Sequence, residues 1–225
     1  MSVMTNDTVN ALLATEAGRR PGAEVLEAGC GRWKHFAYPD GMVIHGLDIS
    51  EEQLRLNDFA HEKYLGDVQT FELERQFDVV VSVFVLEHVD DPEAALRNMR
   101  RWTRPGGLLV IAVPNALSLK GLVTKYTPFW FHHAFYRYVY RRPYAIFPTT
   151  MKWCIAPAAL RRFFAEDEIV LEEYFTEQLS QPFHALYAGL LGVLRVLSLG
   201  RWRPGRSNYR LVVRRRAAED AAGGV

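Results

Sequence analysis

Two glycines and three carboxylates in the first half of the chain have the types and spacing to hold a ligand that carries ribose. Glu27, Gly29 and Gly31 close one apolar run, Asp48 closes a second, and Asp67 follows further along. Glycine lets the backbone approach a ligand where a Cβ would collide, and a carboxylate at a strand end can accept two hydrogen bonds from ribose hydroxyls. We therefore expect a cofactor beside these residues.

The residues after the second glycine argue against a dinucleotide. A dinucleotide-binding turn needs a further glycine and a helix N-terminus aimed at the pyrophosphate, whereas Arg32, Trp33 and Lys34 follow Gly31 here. Hydride transfer is therefore disfavoured. The Pro-Asp-Gly at 39–41 predicts that the helix after this loop is short. Trp33 either packs over the ligand or plugs the core beside that helix.

Strands that alternate with helices position these residues. The β-branched run at 77–84 is typical of a central strand covered on both faces. Asp91 and Pro92 predict the start of a helix, and Ser50 with Gln53 predicts a capping box. The alternation favours an α/β fold, Rossmann-like and doubly wound around a mainly parallel sheet. The predicted strands are 25–28, 42–48, 77–84, 108–113, 169–176 and 208–214, and the predicted helices are 51–61, 92–103 and 157–164.

The domain organisation follows from length and composition. A chain of 225 residues favours a single domain, which we place at 1–216, and the tail 217–225 is expected to be disordered. Residues 115–150 are rich in aromatic and basic side chains and too long for a plain connection, so we interpret them as a helical lid. Two cysteines cannot build a disulfide framework, and the N-terminus does not resemble a secretory signal. We expect a cytoplasmic protein.

The charge is unevenly distributed along the chain. Residues 1–93 hold 18 acidic and 7 basic side chains, whereas residues 94–225 hold 8 acidic and 20 basic ones. The basic part is either a solvated face or a surface for anionic partners such as phosphates, acidic lipids or nucleic acid. The apolar-basic segment 183–206 is too short and interrupted to span a bilayer. It predicts an amphipathic helix on an anionic membrane, a core helix or a dimer contact.

Five ordered segments between residues 25 and 115 resemble the class I S-adenosylmethionine-dependent methyltransferases. They read VLEAGCG at 25–31, HGLDIS at 45–50, GDV at 66–68, FDVVVSVFVLEHVDDP at 77–92 and RWTRPGGLLVIAVPN at 101–115. The resemblance implies a seven-stranded sheet, S-adenosyl-L-methionine as cofactor, S-adenosyl-L-homocysteine as product and no metal. The family usually has glycine where Trp33 stands, and this departure keeps a cofactor-binding protein without catalysis as an alternative.

The resemblance also implies roles for individual residues. Glu27 would reach the amino group of the cofactor, Asp48 the ribose and Asp67 the adenine amino group, while the backbone N–H of Val68 would donate to the ring. For His88 a structural role is the alternative to a place near the cofactor. The full set of implied cofactor contacts is Glu27, Ala28, Gly29, Gly31, Trp33, Asp48, Ile49, Asp67, Val68, Ser82, Val83 and His88.

Within the family the chain is most similar to the ubiquinone-pathway O-methyltransferases and their small-molecule relatives, through WCIAPAAL at 153–160 and SNYR at 207–210. This implies O-methylation of a hydroxyl on a small or lipid-like acceptor by in-line displacement. Methylation of a carboxylate, nitrogen or carbon, or of RNA, is the alternative. Nucleic acid is disfavoured because neither a Pro-Cys nucleophile nor an Asn/Asp-Pro-Pro-Tyr segment is present.

The lid supplies the candidate acceptor-binding residues. His132 or His133 is the candidate general base, since a neutral imidazole can take a hydroxyl proton near pH 7, although both side chains could equally lie on the lid surface. The remaining candidates are aromatic pocket walls and arginines that would hold an anionic part of the acceptor. These are Tyr126, Trp130, Tyr136, Arg137 and Arg141. Whether the protein is a monomer or a homodimer stays open.

Overall fold

The computed structural model describes residues 6–127, 152–175 and 184–217. A single 3-10 turn, Trp153–Ile155, precedes the fifth helix. The helices are α1 (Asp7–Arg19), α2 (Glu51–Leu56), α3 (Pro92–Trp102), α4 (Leu119–Tyr126), α5 (Pro157–Phe163) and α6 (His184–Leu197). The strands are β1 (Glu24–Ala28), β2 (Val43–Asp48), β3 (Glu62–Leu65), β4 (Phe77–Val83), β5 (Thr103–Pro114), β6 (Glu168–Phe175) and β7 (Asn208–Arg214).

The strands form one seven-stranded sheet in the order β3-β2-β1-β4-β5-β7-β6. Strands β1 to β5 are parallel, and β7 runs antiparallel between β5 and β6. The predicted doubly wound, mainly parallel sheet is therefore confirmed. The chain moves outward from β1 to β3 and then returns to place β4 on the other side of β1. Such a reversal leaves a crevice at the carboxyl ends of β1 and β4, where ligands bind in open α/β sheets.

Two apolar layers cover the two faces of the sheet. On one face, Leu96, Met99 and Trp102 of α3 pack with β4 and β5, and all three are fully buried. On the other face, Val9 and Leu13 of α1 pack against alternate residues of the same strands. Because successive side chains of a strand point to opposite faces, a strand covered on both sides is apolar throughout. Strand β4 is buried along its whole length, as its β-branched sequence predicted.

Helix α1 was not predicted, and polar contacts with the last strand hold it in place. The Arg210 guanidinium donates to Asn6 Oδ1 at 2.8 Å, and Arg214 donates to Glu16 Oε1 at 2.8 Å. These partners are separated by 204 and 198 residues in sequence. The first helix is therefore fastened to the strand that the chain completes last.

The prediction that α2 extends to His61 was wrong, because the helix ends at Leu56. The Asn57 side chain accepts hydrogen bonds from the backbone N–H groups of Phe59 and Ala60 at 3.3 and 3.0 Å, which turns the chain. The turn leads into the short edge strand β3, which was not predicted. The capping box is half formed, since Ser50 Oγ accepts from the Gln53 N–H at 3.3 Å but no return bond from the Gln53 side chain is present among the described residues.

Two further predictions about loops need correction. Residues 30–42 contain no helix at all, where a short one was expected. Residues 104–107 were expected to separate a helix from a strand, but β5 already begins at Thr103 and these residues form an irregularity in its pairing with β4. The other predictions agree closely: Asp91 caps α3 by accepting from the Ala94 N–H at 3.0 Å, and β7 has the predicted bounds.

Within the described ranges, no helix combines the length and the apolar character needed to cross a membrane. The lid prediction falls mostly outside these ranges, since only residues 115–127 of the segment 115–150 are described. Of the predicted disordered tail, residues 218–225 likewise lie outside the described part of the chain.

Candidate functional site

The turn after β1 is shaped by two glycines with positive φ. Gly29 has φ +78°, and its N–H donates to the Leu47 carbonyl of β2 at 2.7 Å. A Cβ at Gly29 would lie 2.3 Å from a methyl carbon of Val85, so this position needs glycine for packing. Gly31 has φ +50°, and a Cβ there would meet only Gln53 Oε1, at 3.9 Å. The space beside Gly31 is open, which suits the close approach of a ligand.

Asp48 joins this turn to the end of β2. One carboxylate oxygen accepts from the Gly31 N–H at 2.7 Å and the other from the Ser50 N–H at 2.9 Å. Its carbonyl accepts from the Gly66 N–H at 3.0 Å, which brings the turn after β3 to the same edge. Each carboxylate oxygen has two acceptor positions, so the half-buried Asp48 can still accept from two hydroxyls. Beside it, the Ile49 side chain is 71% exposed and offers an apolar surface.

The turn that contains Asp67 is held rigidly against α3. Asp67 Oδ1 accepts from the Gln69 backbone and side-chain N–H groups, each at 2.9 Å. The Asn98 amide donates to the carbonyls of Val68 and Gln69 at 3.0 and 2.9 Å, and Gln69 in turn accepts from the Asp91 N–H. Val68 is buried, whereas Asp67 is half-buried. The backbone of this turn is therefore held by the Asp67 carboxylate on one side and by the Asn98 amide of α3 on the other.

Glu27 lies below the glycine turn and is 1% exposed. The Tyr38 hydroxyl donates to its carboxylate, and His35 Nδ1 lies 3.3 Å from the other oxygen. Burial and the neighbouring Glu27 raise the pKa of Tyr38 well above its usual value, so the hydroxyl keeps its proton. The sequence did not single out His35 or Tyr38. Their role depends on the loop 30–42 being folded back without a helix.

The suggestion that Trp33 plugs the core is wrong, since its side chain is 67% exposed. Phe36 and Tyr38 fill the apolar layer instead, at 3% and 9% exposure. The Trp33 ring is stacked by the Arg32 guanidinium, with 4.6 Å from its central carbon to the ring centroid. Trp33 therefore stands at the open side of the glycine turn, where an incoming ligand can reach it.

The turn after β4 brings a buried acid to the same edge. Ser82 and Val83 end the strand at 1% and 4% exposure, and Phe84 follows with φ +55°, a conformation that costs a residue with a Cβ. Glu87 is 3% exposed, and burial raises its pKa to about 8. His88 is directed outward, with a third of its side chain exposed and Nε2 4.0 Å from Glu87 Oε1. The sequence analysis overlooked Glu87, although it named its neighbour.

Of the candidate catalytic and acceptor-binding residues of the lid, only Tyr126 lies within the described residues. It ends α4, which begins at the carboxyl end of β5 after the Ser118 N-cap, and its side chain is 70% exposed. The remaining candidates lie outside the described residues and keep the standing of predictions. They are His132, His133, Trp130, Tyr136, Arg137 and Arg141.

Nucleophilic chemistry by the Cys30 thiol receives no support from its surroundings. The thiol of Cys30 is buried, and burial together with Asp48 and Glu27 raises its pKa to about 12, so it is not a thiolate nucleophile. Within the described residues, no three His, Cys, Asp or Glu side chains are grouped as metal ligands.

The chain belongs to the methyltransferase domain family, whose model matches residues 5–165. This confirms the resemblance to the class I methyltransferases at the level of the family. A solved structure titled as a SAM-dependent methyltransferase from Archaeoglobus fulgidus has the same fold, with a TM-score of 0.56, 20% identity, and coverage of 94% of this chain and 95% of that one.

Curated relatives match less than half of this chain in each of two cases. A malonyl-[acyl-carrier protein] O-methyltransferase of Serratia marcescens is 32% identical over 45% of this chain and 42% of its own length. A ubiquinone biosynthesis O-methyltransferase of Pseudomonas entomophila is 29% identical over 42% of this chain and 45% of its own length. The matched region thus spans less than half of either relative.

Replacement of Glu87 by Gln is expected to change how stability depends on pH. A folded-state pKa of about 8, raised from 4.5, means that the folded protein keeps a proton that the unfolded chain loses between these values. The free energy of unfolding therefore falls as pH rises through this window. Relative to Glu87→Gln, the wild type should lose on the order of 3 kcal/mol between pH 5 and 8.

Urea denaturation at pH 5, 6, 7 and 8 measures this difference. The exposed Glu72→Gln is the control and should run parallel to the wild type across the series. A constant difference between the wild type and Glu87→Gln would contradict a buried, protonated Glu87.

Proposed function

We propose that the chain is an S-adenosylmethionine-dependent methyltransferase that methylates a hydroxyl of a small or lipid-like acceptor. One observation carries the proposal: Asp48 accepts hydrogen bonds from the N–H groups of both Gly31 and Gly66. These bonds bring the turns after β1 and β3 together beside the point where the strand order reverses. This arrangement places a carboxylate, open space and an exposed apolar side chain together, which fits a ribose and the flat ring beside it.

The residues that would hold the cofactor follow from this placement. Asp48 would accept from the ribose hydroxyls, and Ile49 would pack against the adenine. Asp67 and the Val68 N–H would recognise the ring edge. The methionine end would lie along the glycine turn toward Ser82 and Val83, with Glu27 below it and Trp33 over its open side. Tyr38 and His35 already contact the two carboxylate oxygens of Glu27. We therefore infer that Glu27 would bind the amino group of the cofactor while it keeps these two contacts.

Replacement of Asp48 by Ala should weaken binding of both S-adenosylmethionine and S-adenosylhomocysteine by about 1 to 3 kcal/mol, because the ribose hydroxyls lose their acceptor and the turn loses a tie. Isothermal titration calorimetry measures the effect. The exposed Asp58→Ala removes the same charge nearby and should bind like the wild type. Equal affinity for Asp48→Ala and the wild type would overturn the assigned ribose contact.

When bound, S-adenosylmethionine supplies a methyl group on a positively charged sulfur, and its transfer to a hydroxyl oxygen releases a neutral sulfide and a proton. The contribution of the protein is chiefly positioning, which is worth up to about 7 to 11 kcal/mol in favourable intramolecular cases. His132 or His133 is the proposed acceptor of the hydroxyl proton. The walls of the acceptor pocket would be formed by Tyr126, Trp130 and Tyr136. An anionic part of the acceptor would be held by Arg137 and Arg141.

Oxygen is favoured as the target because relatives named as O-methyltransferases recur among the matches. Transfer to a carboxylate, nitrogen or carbon, or to RNA, is the alternative reaction. A protein that binds the cofactor without catalysis is the alternative outside enzymes.

Turnover on a panel of catechols, phenols, carboxylic acids and amines distinguishes O-methylation of a hydroxyl from methylation of a carboxylate or nitrogen and from the absence of catalysis. We expect formation of S-adenosylhomocysteine with a phenolic acceptor, at a rate that falls at least tenfold in the double variant His132→Ala/His133→Ala if either imidazole is the base. Cofactor binding without transfer to any acceptor would favour the non-catalytic alternative. Transfer only to amines or acids would overturn the assignment of the hydroxyl.

We place the domain at residues 1–216, in the cytoplasm. The exposed side of helix α6 supports a contact of this domain with an anionic membrane. Its outward side carries Leu190, Val193 and Leu197, which are 47%, 56% and 75% exposed. No acidic residue occurs between Glu177 and Glu219. An exposed apolar helix in a segment whose only charged residues are basic matches a surface of acidic lipid.

The position of α6 fits an amphiphilic acceptor. The segment after the helix is joined to the carboxyl end of β5, where Trp202 Nε1 donates to the Leu117 carbonyl at 2.7 Å and Asn115 N–H donates to the Ser207 carbonyl at 2.8 Å. An acceptor dissolved in the membrane would therefore enter at the same edge of the sheet as the proposed cofactor.

The protein is expected to float with vesicles of phosphatidylglycerol at low salt and to bind phosphatidylcholine vesicles poorly. The variant Val193→Ser/Leu197→Ser should lose most of this binding, since it removes exposed apolar surface. Leu56→Ser, which alters an exposed leucine of α2, serves as the control and should float normally. Absence of binding to anionic vesicles at low salt would remove the membrane proposal and leave a dimer contact.

A further inference from the structure

Five arginines line one cleft at the edge of the sheet opposite the proposed cofactor. The cleft has a volume of about 390 Å³ and lies where α3 ends, α5 ends and β7 has passed its last residue. Phe163 and Ala165 form its apolar wall, and Glu166 lies at its side. The arginines are Arg97, Arg100, Arg101, Arg162 and Arg215.

The local sequence brings these positive charges together at an energetic cost. Arg97, Arg100 and Arg101 stand three and four residues apart on α3, and like charges at these spacings repel each other on one helix face. Arg215, the residue that follows β7, adds a further guanidinium. Burial and the nearby Arg100 lower the pKa of Arg215, and Asp167 offsets this only in part. A bound anion would relieve this repulsion.

The acids near the cleft neutralise only part of this charge. Arg100 forms a bidentate pair with the buried Asp167, at 2.7 and 3.0 Å. The contacts of Arg97 with Asp91 and Glu93, at 3.7 and 3.9 Å, join exposed side chains, and such pairs contribute little.

Two of the arginines have no carboxylate partner among the described residues. Among the described residues, neither Arg101 nor Arg162 forms an ion pair with a carboxylate, and both side chains are exposed. Arg215 donates to the backbone carbonyls of Arg101 and Thr103, which leaves its charge without a neutralising partner in those bonds. Arg101 donates to Asn98 Oδ1 at 3.3 Å in an exposed hydrogen bond. The cleft therefore presents positive charge on exposed arginine side chains that a ligand can reach.

We propose that this cleft is a second ligand site, which binds a small molecule carrying two or more linked phosphate groups. Guanidinium groups bind phosphate oxygens through paired N–H donors, and several arginines around one cavity match a ligand with several phosphates better than a single anion. The volume lies within the range of small-molecule sites. The cleft is open to solvent, and its arginines lie around one site instead of along a continuous basic stripe, which favours a compact ligand over a nucleic acid strand.

The site is independent of the proposed cofactor site. The carboxyl ends of the parallel strands hold Asp48 and the glycine turn, whereas the cleft lies beside Thr103 and Arg214, at the other end of β5. A ligand here would occupy the protein together with the cofactor.

Calorimetric titration of the intact protein with pyrophosphate and with tripolyphosphate tests the proposal, at constant low ionic strength, with sulfate as the comparison. We expect saturable binding of one pyrophosphate or tripolyphosphate per chain, at least tenfold tighter than sulfate. The variant Arg101→Gln/Arg162→Gln should weaken it at least tenfold, because both side chains are exposed and their replacement leaves the fold intact.

The control variant Arg55→Gln/Arg203→Gln removes the same total charge from exposed arginines elsewhere and should bind tripolyphosphate like the wild type. Saturation with S-adenosylhomocysteine should leave tripolyphosphate binding unchanged. Competition between the two would overturn the proposal, because it would place the polyphosphate at the cofactor edge.

Three other results would also overturn it. These are the absence of saturable binding, equal affinity for sulfate and tripolyphosphate, and equal affinity of the cleft variant and the control variant. A short RNA oligonucleotide provides the last arm. If it binds more tightly than tripolyphosphate and depends on Arg101 and Arg162, the cleft is part of a nucleic acid surface and the small-ligand proposal fails.

Discussion

The hydrogen bond from the Gly31 N–H to the Asp48 carboxylate is the contact on which the arrangement of the proposed cofactor site depends. It fixes the turn after β1 to the end of β2, and the backbone of the same aspartate holds the turn after β3. One residue thus sets the relative positions of three loops. The carboxylate performs this structural task with part of its acceptor capacity and keeps the rest for a ligand. A structural and a binding role are therefore compatible in one side chain.

Local rules were sufficient for the start of α3 and for the central strand. Asp91 followed by Pro92 identified the start of α3, and the β-branched run identified β4 as the central strand, because capping and burial on both faces act through neighbouring residues. The apolar residues of helix α1 are not confined to one side, and the helix depends on contacts with a strand two hundred residues away, so its own sequence gives a weak signal. The edge strand β3 is short and mostly exposed, and it lacks the alternation that marks a half-buried strand.

For the candidate site, the sequence predicted where some side chains lie, and their roles stay predictions. The positions of the glycines and acids followed from motif order, and the structure brings them to one edge of the sheet. The neighbours of Glu27 were not predictable, because Tyr38 and His35 reach it only through an irregular loop where a helix was expected. Trp33 is a second example: the sequence left it either over the ligand or in the core, and the folded-back loop gives the core position to Phe36. Where no regular element carries a residue, only the tertiary structure decides what it contacts.

The fastening of α1 to β7 through Arg210 and Arg214 also has a consequence for biosynthesis. During translation the first helix leaves the ribosome long before its partners on the last strand exist, so it must wait unpaired while the central strands assemble. Closure of the domain is then a late event, coupled to the arrival of β7. A nascent chain stalled before residue 208 would leave Asn6 and Glu16 without their arginine partners, while the apolar side of the helix could already pack on the central strands.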